Sequence, residues 1–290
     1  MDAALKTALS AAISNATGEA FEINRQIAVG GGCINEATLI SSDRQRYFVK
    51  LNDTNAHEMF TAEAEALEAI NQTGSIKAPR PFAHGYAENH AFLILEAISF
   101  GTGSTQNWQL MGQQLAELHR HTAQQFGWHR NNTIGSTPQL NAWADDWATF
   151  FREQRLRPQF ALARKNGFHF KQAEALLQQV EVILNGHKPD PSLLHGDLWS
   201  GNAGFTTDGI PVVFDPASYY GDREADLAFS EFFGGFAPAF YEGYGASWPL
   251  PPGCASRKIL YNLYHVLNHA NLFGGSYANQ AQRMIQQLLA

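Results

Sequence analysis

Two short segments restrict this chain more than any others. His195-Gly196-Asp197-Leu198-Trp199-Ser200-Gly201-Asn202 sets an aspartate five residues before an asparagine, and Val212-Val213-Phe214-Asp215 ends an apolar run on a second aspartate. A loop with that spacing presents a proton acceptor at one end and a neutral oxygen ligand for Mg²⁺ at the other. The apolar run reads as a buried strand, so the Asp215 carboxylate is expected to emerge at a strand end, where a magnesium ion bridging nucleotide phosphates would sit. His-Gly-Asp alone would read as a turn before a helix. Its conjunction with Asn202 and Asp215 makes a phosphoryl-transfer site the stronger reading.

The rest of the chain supplies the parts such a site needs. Leu5, Leu9, Ala12 and Ile13 have helical spacing and predict a leading amphipathic helix near residues 2 to 16. Strands are expected at Phe21 to Val29, Ala37 to Ile40 and Tyr47 to Leu51, with Gly30-Gly31-Gly32 as a tight turn between the first two. Backbone amides of that turn could approach ATP phosphates, although the G-x-x-x-x-G-K-[ST] pattern is missing and a flexible hairpin has the same composition. Lys50 ends the third strand. Thirteen residues on, Glu63 lies in a predicted helix whose apolar face is Met59, Phe60, Ala64, Leu67 and Ile70. An ion pair from Glu63 would hold Lys50 toward phosphates, with Glu65 as the rival partner. Cys33 in the glycine turn is expected either to be redox-sensitive, since amides and a nearby lysine favour a thiolate, or to be an inert small residue.

Ala91 to Glu96 predicts another strand, leading into a hinge around Gly101-Thr102-Gly103, after which long helical patterns dominate. The expected fold class is therefore α+β and bilobal, with a strand-rich lobe over residues 1–98 and a larger, mainly helical lobe over 99–290. At 290 residues with 44% hydrophobic content the chain can build a substantial core, and its net charge of −7 argues against a general nucleic-acid binder. Its two cysteines, Cys33 and Cys254, suggest neither a disulfide framework nor a zinc finger and fit a reducing cytoplasm. No signal-peptide core or apolar run of membrane length is present, so no membrane partner is expected.

Several residues admit two readings. His265 and His269 are four apart on a predicted helix, but Val266 stands where a H-E-x-x-H motif needs glutamate, so hydrogen-bonded helix histidines are expected and zinc is not. His119 and His121 read as caps or surface groups. Asp222-Arg223-Glu224-Ala225-Asp226 would organise the catalytic loop, border the acceptor pocket through Glu224, or simply start a helix. Trp199 offers a flat face for a sugar or cyclic amine, or anchors the loop in the core.

Protein kinases write the two central motifs as H-R-D-x-x-x-x-N and D-F-G. Here they read His195-Gly196-Asp197 and Asp215-Pro216-Ala217, the spelling of the small-molecule branch of the kinase-like fold. The chain resembles the fructosamine kinase, or ketosamine-3-kinase, family. Beyond Gly30 to Ile34 and His195 to Asn202, the likeness rests on Asn132-Thr133-Ile134-Gly135-Ser136, Asp146-Trp147, Phe150-Phe151, Arg155-Leu156, Tyr219 to Glu224 and Leu263 to His269. The resemblance implies ATP- and Mg²⁺-dependent phosphorylation of the sugar 3-hydroxyl of ketosamines, as small molecules or on glycated protein lysines. It also implies Glu96, Ala97 and Ile98 as the adenine-contacting segment, recognising through backbone groups. A phosphotransferase for another hydroxylated amine, such as an aminoglycoside, and a catalytically silent nucleotide- or redox-responsive module are the alternatives.

Overall fold

The structure, a computed structural model, describes residues 1–30 and 34–290. The expectations placed on Gly31, Gly32 and Cys33 lie outside the described residues. Helix α1 (Ala3–Thr17) is started by Asp2, whose carboxylate accepts from the Leu5 amide at 2.8 Å, and is stopped by left-handed Gly18. A five-stranded antiparallel sheet follows, in the order β1-β2-β3-β5-β4, made by β1 (Arg25–Val29), β2 (Glu36–Ser41), β3 (Arg46–Asp53), β4 (Pro81–Ala87) and β5 (His90–Glu96). The first strand starts later than its sequence predicts, at Arg25, preceded only by the Asn24 amide donating to the Ser41 carbonyl at 2.9 Å.

Strand period two divides the residues of this sheet between its faces. Tyr47, Val49 and Leu51 of β3, with Phe92 and Ile94 of β5, pack with Leu5, Leu9 and Ile13 of α1. Each fully buried leucine or isoleucine there contributes roughly 1.5–3 kcal/mol of hydrophobic free energy. The alternate residues, Phe48 and Lys50 of β3 with Leu93 and Leu95 of β5, look the other way, toward α2 (His57–Thr73) and the main core. Lys50 is thus held on the inner face by its register, not by its own chemistry.

β5 is the last strand of this sheet, and β6 (Phe100–Gly101) already belongs to the second half of the molecule. Helix α3 (Thr105–His119) follows, then the hairpin of β7 (Asn132–Ile134) and β8 (Thr137–Gln139). Short α4 (Trp147–Phe150) runs through a π-helical turn, Phe151–Leu156, into α5 (Arg157–Lys165), and α6 (Ala173–Ile183) comes next. The central loop lies between β9 (Ser192–Leu193) and β10 (Ala203–Thr206), and β10 pairs with both β11 (Pro211–Val213) and β6. β12 (Tyr220–Gly221) pairs with β9. Helices α7 (Glu224–Ser230), α8 (Pro238–Ser247), α9 (Cys254–Phe273) and α10 (Ser276–Leu288) complete the chain. Helix α9 is buried continuously from Leu260 to Asn268, as befits a helix at the centre of a helical lobe. Among the described residues no helix is long and apolar enough to cross a membrane.

Candidate active site

Lys50 is the meeting point of the two halves. Its ammonium lies 2.6 Å from Glu63 on α2 and 2.7 Å from Asp215 beyond β11. Glu63 follows Phe60 by three residues and precedes Leu67 by four, so it sits in the buried stripe of α2. Glu65 turns away and bonds His129 and Arg130 at 2.9 and 2.8 Å. The choice that the sequence left open was therefore readable from the spacing of Phe60, Glu63, Leu67 and Ile70. Burial alone would drive Lys50 toward neutrality, but the charges of Glu63 and Asp215 outweigh it and raise its pKa, so the lysine stays charged. Burial pushes Glu63 up, the Lys50 charge opposes this, and Asp215 adds to the rise.

The loop from His195 to Asn202 is stitched to the Asp215 segment by its backbone. The Ala217 amide donates to the His195 carbonyl at 2.9 Å, and the Phe214 amide to the Asn202 carbonyl at 3.0 Å. The His195 ring closes the same gap: Nε2 bonds the Phe214 carbonyl at 2.9 Å, and Nδ1 accepts from the Asp197 amide at 3.3 Å. These partners assign the proton to Nε2, and burial lowers the ring's pKa, so the histidine is neutral. Gly196 is required between them, since its φ is +82° and a Cβ there would stand 2.1 Å from the Ala217 carbonyl oxygen.

Asp197 emerges from this frame half-buried. The Asn202 amide nitrogen donates to its carboxylate at 3.0 Å and to its carbonyl at 2.9 Å, which turns the Asn202 Oδ1 the other way. Loss of water around the carboxyl, reinforced by the Asp215 charge, pushes its pKa up to about 7. Asp215 lies two residues past the end of β11, not at it, and its φ of +57° swings the side chain out, leaving it 47% exposed beside Lys50. One Asp215 oxygen faces Lys50, and the donor set of carboxylate and amide oxygens is of the hard type that suits a magnesium ion.

At the other edge, the Glu96 side chain bonds Lys77 at 2.7 Å and its amide donates to the Arg80 carbonyl at 2.8 Å. Ala97 and Ile98 make no backbone–backbone hydrogen bond among the described residues. Their main chain can therefore serve a ligand, whereas the Glu96 side chain is already engaged. Gly30 directly follows β1. Trp199 is half-buried, with its indole over Gly201 and an edge-on contact to Phe233 at 5.4 Å between ring centroids.

Two expectations need correction. Glu224 does not face an acceptor: it is buried, and Arg257 grips both of its oxygens at 2.6 and 2.8 Å, an ion pair tying α7 to α9. The charge that serves the loop is two residues on. Asp226 accepts the His195 amide at 2.7 Å and the Gly196 amide at 2.9 Å. His119 is the second correction. It is fully buried at the end of α3, 3.2 Å from Asp226 and 2.8 Å from the Tyr244 hydroxyl, and is no surface cap. His265 stacks on Phe229 at 3.6 Å, and its pKa falls to about 3 through burial first and the neighbouring His269 second.

Sequence reasoning missed the brace behind the site. Gln139 and Asn132, on the β7–β8 hairpin, donate to the carbonyls of Ala217 and Ser218 at 3.0 and 2.9 Å. Fully buried Arg155 bonds the Leu140 carbonyl and the Asn141 side chain and covers the Tyr219 ring at 3.9 Å. Polar residues in short strands, Asn132 and Gln139 among them, were the available signal.

Residues 5–290 match the family described as Fructosamine kinase. The chain belongs to that family. It is 51% identical over 278 residues to a probable ketoamine kinase of Synechocystis sp., covering 96% of this chain and 94% of the relative. It is 41% identical over 278 residues to a chloroplastic protein-ribulosamine 3-kinase of Arabidopsis thaliana, covering 94% and 85%. The crystal structure of a candidate fructosamine-3-kinase from Haemophilus somnus 129PT superposes with a TM-score of 0.92 at 33% identity, over 97% of both chains. The fold of this fructosamine kinase family member is the protein-kinase-like, α+β arrangement.

Proposed function

We propose that this protein is an ATP- and magnesium-dependent kinase that phosphorylates the sugar 3-hydroxyl of ketosamines, a deglycation activity. The observation that carries this reading is the convergence of Lys50 on Glu63 and Asp215, with Asp197 on the loop stitched to Asp215. Relatives named as ketoamine and ribulosamine kinases support the acceptor class. Residues 1–98 are read as the nucleotide lobe and 99–290 as the catalytic and acceptor lobe.

In this mechanism Asp197 accepts a hydrogen bond from the acceptor hydroxyl and aligns its oxygen with the γ-phosphate. Its carboxyl, lifted to about 7, takes the proton late, because a loose transition state leaves most of the work to alignment. Asn202 holds Asp197 in place through the 3.0 Å hydrogen bond. Lys50, kept charged by Glu63, faces the phosphates, and the free main chain at Ala97 and Ile98 takes the adenine. Asp215 and Asn202 would hold magnesium, which when bound supplies charge neutralisation at the transferring phosphoryl group.

The test is a magnesium-ATP assay across ribulosamine, erythrulosamine, fructosamine and aminoglycoside acceptors. ATP consumption that depends on a ketosamine, with phosphate found on the 3-oxygen, is expected. Turnover of aminoglycosides alone, or none that depends on an acceptor, would remove the reading.

A further inference from the structure

The β7–β8 hairpin meets the first half of the chain across the cleft. Gly135 turns this hairpin with a φ of +62°, and a Cβ there would stand 3.1 Å from the side-chain tips of both Ile34 and Leu272. The missing side chain leaves a notch, which Ile34 enters from the start of β2 and Leu272 from the end of α9.

Both sides of the notch are held from behind. Asn268 stands one helical turn before Leu272 and donates to the Ile134 carbonyl at 3.2 Å, which ties α9 to the hairpin tip. The base of the hairpin, Asn132 paired with Gln139, holds the Ser218 and Ala217 carbonyls just past Asp215. On the opposite side, the Asn52 amide nitrogen donates to the Ile34 carbonyl at 3.2 Å and to the Asn35 side chain at 2.7 Å. Asn52 follows Lys50 by two on β3 and therefore shares its face.

These links close a ring. Lys50 joins Asp215, the segment after Asp215 joins the hairpin, the hairpin tip meets Ile34, and Ile34 returns through Asn52 to the strand of Lys50. Ile34 is 37% exposed, and neither it nor Leu272 belongs to the two buried cores, so their contact adds little to the fold. What it fixes is where the start of β2 stands relative to the Asp215 segment. Phosphoryl transfer depends on such alignment and on keeping water away. Otherwise a water oxygen bonds to the γ-phosphorus as the bond to the ADP oxygen breaks, releasing inorganic phosphate, ADP and a proton.

We propose that Ile34 is a positioning residue: seated against Gly135 and Leu272, it holds the two sides of the cleft together during transfer and so favours the acceptor hydroxyl over water. The inference rests on the kinase reading above.

The test compares Ile34→Ala, Leu272→Ala, the two combined, and Ile34→Val as the conservative control, measuring phosphorylated ketosamine formed per ADP released. Wild-type protein is expected to form the two in equal amounts. In each alanine variant the share of ATP lost to hydrolysis is expected to rise about 3- to 10-fold, with Ile34→Val close to wild type. The combined variant should leak no more than the worse single one, because both changes remove the same contact. Melting of the ligand-free protein gives a second readout: each alanine change should lower the melting temperature by about 1–3 °C, and the pair by less than the sum. A wild-type share of hydrolysis in both single variants, or effects that simply multiply in the double, overturns the role of Ile34 and leaves the kinase reading standing. Wild-type ATP consumption that does not depend on a ketosamine removes the kinase reading, and the proposal with it, whatever the melting cycle shows.

Discussion

Two aspartates of the C-terminal half, one in the loop after β9 and one on α7 behind that loop, show what environment does to a single side chain. Asp226 is buried, which alone would raise its pKa, but His119 and the amides of His195 and Gly196 supply donors that hold the carboxyl below its usual range. Asp197, a few ångströms of chain away, has one side-chain donor, Asn202, and a second carboxylate for a neighbour, and its pKa climbs to about 7. A satisfied carboxylate is a structural anchor. An under-satisfied one has a basicity suited to accepting a proton near neutral pH.

The largest effect should fall on turnover. Asp197→Asn removes the proposed proton acceptor and is expected to lower kcat by about 10²–10⁴-fold while the KM for ATP stays within about threefold. Steady-state kinetics with a ketosamine would show it, and normal kcat would erase the distinction between the two aspartates. Asp226→Asn should instead act on the fold: leaving His195, Gly196 and His119 without their charged acceptor is expected to cost about 3–5 kcal/mol by denaturant titration. The depressed pKa gives the matching pH signature. The stability that Asp226 contributes is present above the ordinary aspartate range and is lost as pH falls through its folded value, below about 4.

A third prediction reverses the sign. A raised carboxyl pKa penalises the folded state fully above about 7, less as pH falls, and not at all below the ordinary aspartate value of 3.8. Asp197→Asn should therefore melt higher than wild type in the absence of ligands at pH 8, by roughly 1–3 kcal/mol, with the gain shrinking toward pH 4. Equal melting at both pH values would mean that the Asp197 carboxyl is better solvated than its surroundings suggest. The smallest effect concerns Glu224→Gln, which weakens the buried pair with Arg257 at a cost of about 1–3 kcal/mol and leaves the acceptor KM unchanged. A raised KM at full stability would restore Glu224 to the acceptor side.

Much of the architecture could be read directly because it is encoded locally. Period two in β3 and β5 and the apolar stripe of α2 marked the first half, and the loop spacing from Asp197 to Asn202 marked the site. What escaped were partners far apart in sequence. For Asp226 the sequence left loop organiser, acceptor border and helix start all open, because nothing local says that its oxygens turn back to residues 195 and 196. Glu224 was assigned outward for the same reason, since Arg257 stands 33 residues away. His119 looked terminal on its helix, yet its neighbours Tyr244 and Asp226 come from over a hundred residues downstream.

The sequence by itself determined which chemical groups the chain can bring to phosphoryl transfer, and on which strand, helix or loop each stands, because spacing along a chain controls which face a side chain occupies. Only the tertiary structure decided how those groups differ in charge and availability. Whether a carboxylate is satisfied, paired or left partly bare depends on donors delivered by distant segments, and it is packing around a common core that brings them within hydrogen-bonding reach.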